Sequence, residues 1–164
     1  LIHEARADCE LYSVFTVQEE LGLRGAATIV EQVEPDMAIV FECTVAADTP
    51  GNPPSEHVTR VGKGAAIRVL DSSMLTRREI VNYLIRLAEE NGIPHQLQVM
   101  TGSITDAGRI HLQRRGVPTG VISVPCRNLH TPNLLLDLKD LECVVRLGFH
   151  AVLNASEFLR ASHR

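Results

Sequence analysis

The sequence predicts an α/β fold, a three-layer α/β/α sandwich built on a mostly parallel sheet. Three observations carry that expectation. Candidate strands alternate with candidate helices along the chain. The strands read as continuous apolar runs, such as GVISVP at residues 120–125, instead of an in-and-out alternation, which is the pattern of strands buried on both faces. The intervening segments carry apolar residues at helical spacing, as in Ile80, Leu84, Leu87 and Ala88. At 164 residues and 45 % apolar content the chain suits one domain with a sizeable core.

Taken in order, LIHEARA at residues 1–7 is helix-like and reads as the inside of an element, so the chain is expected to be part of a longer protein. LYSVFTV, residues 11–17, is β-branched and aromatic enough for a first strand, and MAIVFECTVA, residues 37–46, for a longer second one. Residues 25–33 form a helix that stops at Glu34-Pro35, because the residue before a proline avoids helical backbone. DTPGNPPSEH, residues 48–57, is too rich in proline and glycine for a regular element. A short strand follows at residues 65–70. Thr76 and Glu79 then have the spacing of a capping box ahead of a helix that ends at Gly92 and Pro94. Residues 95–100 read as a strand, TDAGRIHLQRR (105–115) as a helix stopped by Gly116, and residues 120–125 as another strand. Asp137 caps a final helix running to about residue 161.

Composition excludes several classes of function. The net charge is −4 with both signs interspersed, so there is no electrostatic footprint for nucleic acid or an anionic membrane. No run approaches the roughly 20 apolar residues of a membrane span, and no signal peptide opens the chain. The four cysteines, Cys9, Cys43, Cys126 and Cys143, lack CxxC spacing and read as buried or free thiols of a cytoplasmic protein.

The candidate site residues lie where an open parallel sheet places its ligands, beyond the carboxyl ends of strands. Glu19 and Glu20 follow the first strand, and His130 follows GVISVPCRNL. Glu42 sits among apolar neighbours in VFECTV, where an unpaired carboxylate costs several kcal/mol and needs a cation, a base or a proton. A convergent Glu, Glu and His suits Zn²⁺ or a similar divalent ion. If one of the adjacent glutamates binds the metal, its neighbour points elsewhere and can act as general base toward a metal-activated water. Each residue also has a plainer reading: solvated turn acids for Glu19 and Glu20, a loop histidine for His130. Asp48 serves a turn or orients the site, Thr105 and Asp106 cap their helix or line a substrate pocket, and His111 and His150 are surface or packing residues.

Several segments together resemble the tetrahedral (TET) aminopeptidases, co-catalytic metallopeptidases that include FrvX-like and glutamyl aminopeptidase-like proteins. The segments are TVQEELGLRGA, ECTVAADTPG, VGKGAAIRVLDSSM, GSITDAGRIHL and GVPTGVISVPCRNLHTP, in the family's order along nearly all of the chain. The resemblance implies a zinc-peptidase-like fold with Glu19 as general base and Glu20, Glu42 and His130 as metal ligands. Glu42 stands where members often carry Asp, and Asn128 where they usually carry Tyr or a similar residue. It implies two divalent ions, Zn or Co, in the intact enzyme, and hydrolysis of short peptides at a free N-terminus by a large homo-oligomer.

The family's upstream histidine, its bridging aspartate and its inserted β-rich domain have no counterpart in the 164 residues. The chain is therefore expected to be the C-terminal part of a catalytic domain, with weak metal binding and little or no activity alone. A glycosidase would need paired carboxylates across a sugar cleft with aromatic platforms, and the chain has no Trp. A noncatalytic assembly or binding module that keeps the peptidase fold is the remaining alternative.

Overall fold

A computed structural model describes residues 7–162, so the helix-like opening lies almost wholly outside the described residues. The elements run α1 (Arg24–Val33), β1 (Ala38–Val45), β2 (Ala65–Leu70), α2 (Arg78–Glu90), β3 (His95–Val99), α3 (Ala107–Ile110), β4 (Thr119–Arg127), β5 (Leu135–Leu136), α4 (Leu138–Leu153) and α5 (Ala155–Ser162), with a 3-10 turn at Pro54–Glu56.

The strand order is β1-β4-β2-β3. β1 pairs with β4 in parallel from Ala38↔Thr119 to Val45↔Cys126, and β2 pairs with β3 in parallel. These two parallel pairs join along a short antiparallel seam at Ala66↔Ser123 and Ile67↔Ile122, and β5 adds to the end of β4 antiparallel. The sheet is thus mixed, with parallel pairing predominant, and helices cover both faces. β4 lies between β1 and β2 and is buried almost throughout, which is why GVISVP contains no charge.

Successive side chains of a strand point to opposite faces, and this sorts the core. Ala65, Ile67, Ile122 and Val124 pack with Ile80, Leu84, Leu87, Val144 and Leu147 of α2 and α4 in the main core. Val40 and Val121 face the other way, onto Met74 and Ala107 at α3, in a much smaller cluster. The polar residues Glu42, Ser123 and Arg68 share this second face by alternation. Close packing on the first face has its own sign: a Cβ on Gly148 of α4 would lie 2.5 Å from the Phe41 ring of β1.

The structure corrects four sequence expectations. Residues 11–17 form no strand but an extended, exposed segment, with Phe15 96 % exposed. β propensity reflects side-chain packing in a sheet already formed, and this segment has no ladder; its end is tied by Gly25 N–H to the Val17 carbonyl at 2.9 Å and by the Thr16 hydroxyl to Asp106. The Thr76–Glu79 capping box does not form. Thr76 is buried and its hydroxyl donates to the Arg68 carbonyl at 2.9 Å, so α2 starts beyond it with no side-chain cap. The TDAG helix shrinks to Ala107–Ile110, because Arg114 adopts left-handed backbone and Val117 N–H returns to the His111 carbonyl, turning the chain toward β4. Asp137 does cap α4, accepting from Lys139 N–H at 2.8 Å. That helix breaks at Asn154, whose side chain donates to the His150 carbonyl in competition with the helical ladder.

Candidate functional site

Glu19 and Glu20 lie in a tight turn between the extended segment and α1. Gln18 at φ 58° and Leu23 at φ 59° bracket the pair in left-handed backbone, and inside the turn the Glu19 carbonyl accepts from Gly22 and Leu23 N–H. Non-glycine residues held this way are uncommon and cluster at functional sites. Asn128 at φ 58° and His130 at φ 61°, in the loop after β4, and Ala47 at φ 60°, after β1, belong to the same set. Gly25 permits the turn, since a Cβ there would lie 2.6 Å from both the backbone N and O of Val17.

The structure brings the two loops together. Glu20 Oε1 lies 3.2 Å from His130 Nδ1, and both side chains are exposed. Glu19, half-buried, has its carboxyl raised above the usual range, first by burial and then by the charges of Glu20 and Asp106. Glu42 is raised further, to about 7, by burial and next by the Glu19 charge, with Arg68 opposing. It therefore lies within electrostatic reach of the turn from mid-strand, beside Ser123 in the register, instead of beyond a strand end. A cation beside like-charged carboxylates gathered this way favours their charged form.

Behind them stand residues that sequence reasoning missed or placed otherwise. Arg68, 2 % exposed, pairs with Asp71 at 2.8 Å. Burial pushes the Asp71 carboxyl up, but hydrogen bonds from Arg68 and Ser73 outweigh that and hold it below the usual range. Asp106 caps no helix; its Oδ2 accepts from the Thr16 hydroxyl at 2.6 Å, and its Oδ1 is buried without a partner. Thr105 is also buried, its hydroxyl 3.4 Å from Asp71 Oδ2. Asp48, just past β1, is paired and hydrogen-bonded. It receives Arg127 through Nε at 2.7 Å and NH2 at 3.1 Å, and Val61 N–H at 2.9 Å, which ties the end of β1 to the end of β4. His111 packs against its own helix through the Ala107 carbonyl, and all four cysteines are free thiols. An arginine inside the apolar run AAIRVL was the one available signal for the Arg68–Asp71 pair.

Among the described residues no three His, Cys, Asp or Glu side chains stand close enough to form a finished metal cage. The donors nevertheless fit a divalent ion in kind: carboxylates and an imidazole, with the Glu42 carboxyl pushed to about 7 by burial and then by the Glu19 charge.

The M42 glutamyl aminopeptidase family model matches residues 1–147. This chain belongs to that family. Among solved structures, the aminopeptidase APDkam598 of the archaeon Desulfurococcus kamchatkensis is 36 % identical and superposes with a TM-score of 0.93, covering 97 % of this chain and 46 % of that one. A TET aminopeptidase of Thaumarchaeota archaeon SCGC AB-539-E09 is 42 % identical with a TM-score of 0.85, over 89 % of this chain and 41 % of that one. The TET1 peptidase of Pyrococcus horikoshii, 33 % identical with a TM-score of 0.68 over 84 % of this chain and 39 % of that one, assembles into a tetrahedron or a large octahedral shell. The M42 chain described here spans 36–44 % of the length of the curated relatives it matches. The family membership and the mixed α/β fold agree with the resemblance and fold class read from the sequence. No helix among the described residues is long and apolar enough to cross a membrane.

Proposed function

We propose that this chain is the C-terminal portion of a metalloaminopeptidase catalytic domain, one that removes N-terminal residues from short peptides. The observation that carries the reading is the meeting of Glu20, in the Glu19-Glu20 turn, with His130 at 3.2 Å, the raised carboxyl of Glu42 being within electrostatic reach of Glu19. Glu20, Glu42 and His130 would hold divalent metal, Zn or Co, and two such ions are expected in the intact enzyme. Bound metal supplies Lewis-acid activation of a water and of the substrate carbonyl.

Glu19 is the general base. Burial and its acidic neighbours raise its proton affinity above that of an ordinary glutamate, which suits a group that must take a proton from water and return it to the leaving amine. Neighbouring positions let Glu20 face His130 while Glu19 stays half-buried toward Glu42. Thr105 and Asp106 are too enclosed, at 3 % and 5 % exposure, to grip a peptide directly. A cytoplasmic homo-oligomer is the assembly in which we place the chain; the Phe41 ring on β1, 53 % exposed, is the kind of apolar surface that association covers.

The test sets the full-length gene product and the 164-residue chain side by side against aminoacyl p-nitroanilides with Zn²⁺ or Co²⁺. Cleavage by the long form that is lost with chelator and in Glu19→Gln supports the reading. Bound metal without cleavage of any substrate sinks it and favours a noncatalytic binding module.

A further inference from the structure

We infer that Asp106 is a positioning residue, whose bond to Thr16 holds the Glu19-Glu20 turn against the sheet. The inference rests on the roles given above to Glu19 and Glu20. The extended segment before the turn is poorly held. It joins no sheet, and Phe15 and Val17 are 96 % and 67 % exposed. The backbone bonds at its end, from Gly25 to Val17 and from Arg24 to Gln18, reach only the first residues of α1. Among the described residues, one hydrogen bond carries residues 9–18 to an element beyond α1, the 2.6 Å bond from the Thr16 hydroxyl to Asp106 Oδ2.

The far end of that bond is firmly placed. Asp106 is 5 % exposed at the start of α3, whose Ala107 is in the smaller core with Met74, Val121 and Val40. Gly108 seats α3 so closely that a Cβ would lie 2.3 Å from Ser73 Oγ, and Leu23, at the other end of the turn, packs against the same glycine. Asp106 therefore connects the turn to the face of β1 and β4 that carries Glu42, two residues beyond Val40. A short bond to a buried carboxylate is a strong one. Without it the segment leading into the turn would keep only its bonds to the start of α1, and a base displaced by even 1 Å loses much of its effect.

The test compares Thr16→Val, which removes only the donor, Thr16→Ser, which keeps it, Asp106→Ala and Asp106→Asn, which keeps an acceptor. Hydrogen exchange is read at residues 16–21, with β4 amides as the control for global folding. Loss of the bond is expected to speed exchange at the turn by about 10- to 100-fold in Thr16→Val and Asp106→Ala, with Thr16→Ser and Asp106→Asn near wild type. In the full-length product the same two damaging variants should lower kcat more than they raise KM. Unchanged exchange in Thr16→Val overturns the inference, as does an Asp106→Asn variant as impaired as Asp106→Ala, which would make the carboxylate's charge the active element. If Asp106→Ala fails to fold, Thr16→Val still decides. Exchange does not depend on turnover, so an inactive full-length protein would defeat the proposed function and leave this inference to be judged by exchange.

Discussion

Glu20 and His130 stand 3.2 Å apart through Oε1 and Nδ1, although all four long strands of the sheet lie between them in the chain. The contact depends on the parallel pairing of β1 with β4 and on the left-handed backbone at Gln18, Asn128 and His130, which turns each loop toward the other.

That relationship separates two roles that a single assay would confuse. Glu19→Gln is expected to lower the activity of the full-length gene product about 10²- to 10⁴-fold, the usual worth of a general base, with metal content unchanged. Glu20→Gln and His130→Ala should instead lower metal occupancy, measured by elemental analysis after dialysis, and activity with it. A Glu19→Gln protein that loses its metal would show that the roles are assigned the wrong way round.

The metal-free chain should carry a pH signature from Glu42. Its folded-state carboxyl is raised from the ordinary 4.5 to about 7, chiefly by burial and then by Glu19. The stability gained from the neutral form is therefore complete below about pH 4.5 and lost as pH rises through about 7. Wild type compared with Glu42→Gln by thermal melting should show the variant gaining on wild type from about pH 5 to about pH 8. Excess Zn²⁺ should reverse that order at the higher pH, because the variant gives up a ligand charge. A wild-type-to-variant difference that stays flat with pH would exclude Glu42 as the titrating group.

The Arg68–Asp71 pair is a stability element beneath the site. Both side chains are essentially buried, so Arg68→Met leaves a buried, uncompensated carboxylate and should cost about 3–5 kcal/mol in urea denaturation. Adding Asp71→Leu should recover part of that loss, since the unpaired charge is then gone. Asp71's lowered pKa means that its own contribution is present above its unfolded value and fades as pH falls through the folded one. A single Arg68→Met variant as stable as wild type would contradict this account.

Gly25 should resist substitution in spite of its place in a helix. Alanine gains about 1 kcal/mol of helix propensity there, but its Cβ would meet the Val17 backbone at 2.6 Å, and such overpacking costs about 1–3 kcal/mol. The expected result is faster proteolytic cleavage within residues 11–18 and reduced kcat. Wild-type resistance to protease in Gly25→Ala would mean that the segment relaxes without loss.

The sequence by itself determined the class of the fold and the family. Apolar runs with no charge announce strands covered on both faces, and a carboxylate inside VFECTV announces its own need for a countercharge, because burial energies depend on residue type and local pattern. The tertiary structure alone decided which groups meet. LYSVFTV has strand composition but no ladder, because pairing requires an edge in register, which composition does not supply. Thr76 has a cap's spacing but gives its hydroxyl to the Arg68 carbonyl, and Asp106 holds Thr16 instead of its own helix. Such hydrogen bonds are set by distance and direction across the sheet, and residues far apart in the chain acquire those only when β1, β4 and α3 have packed together.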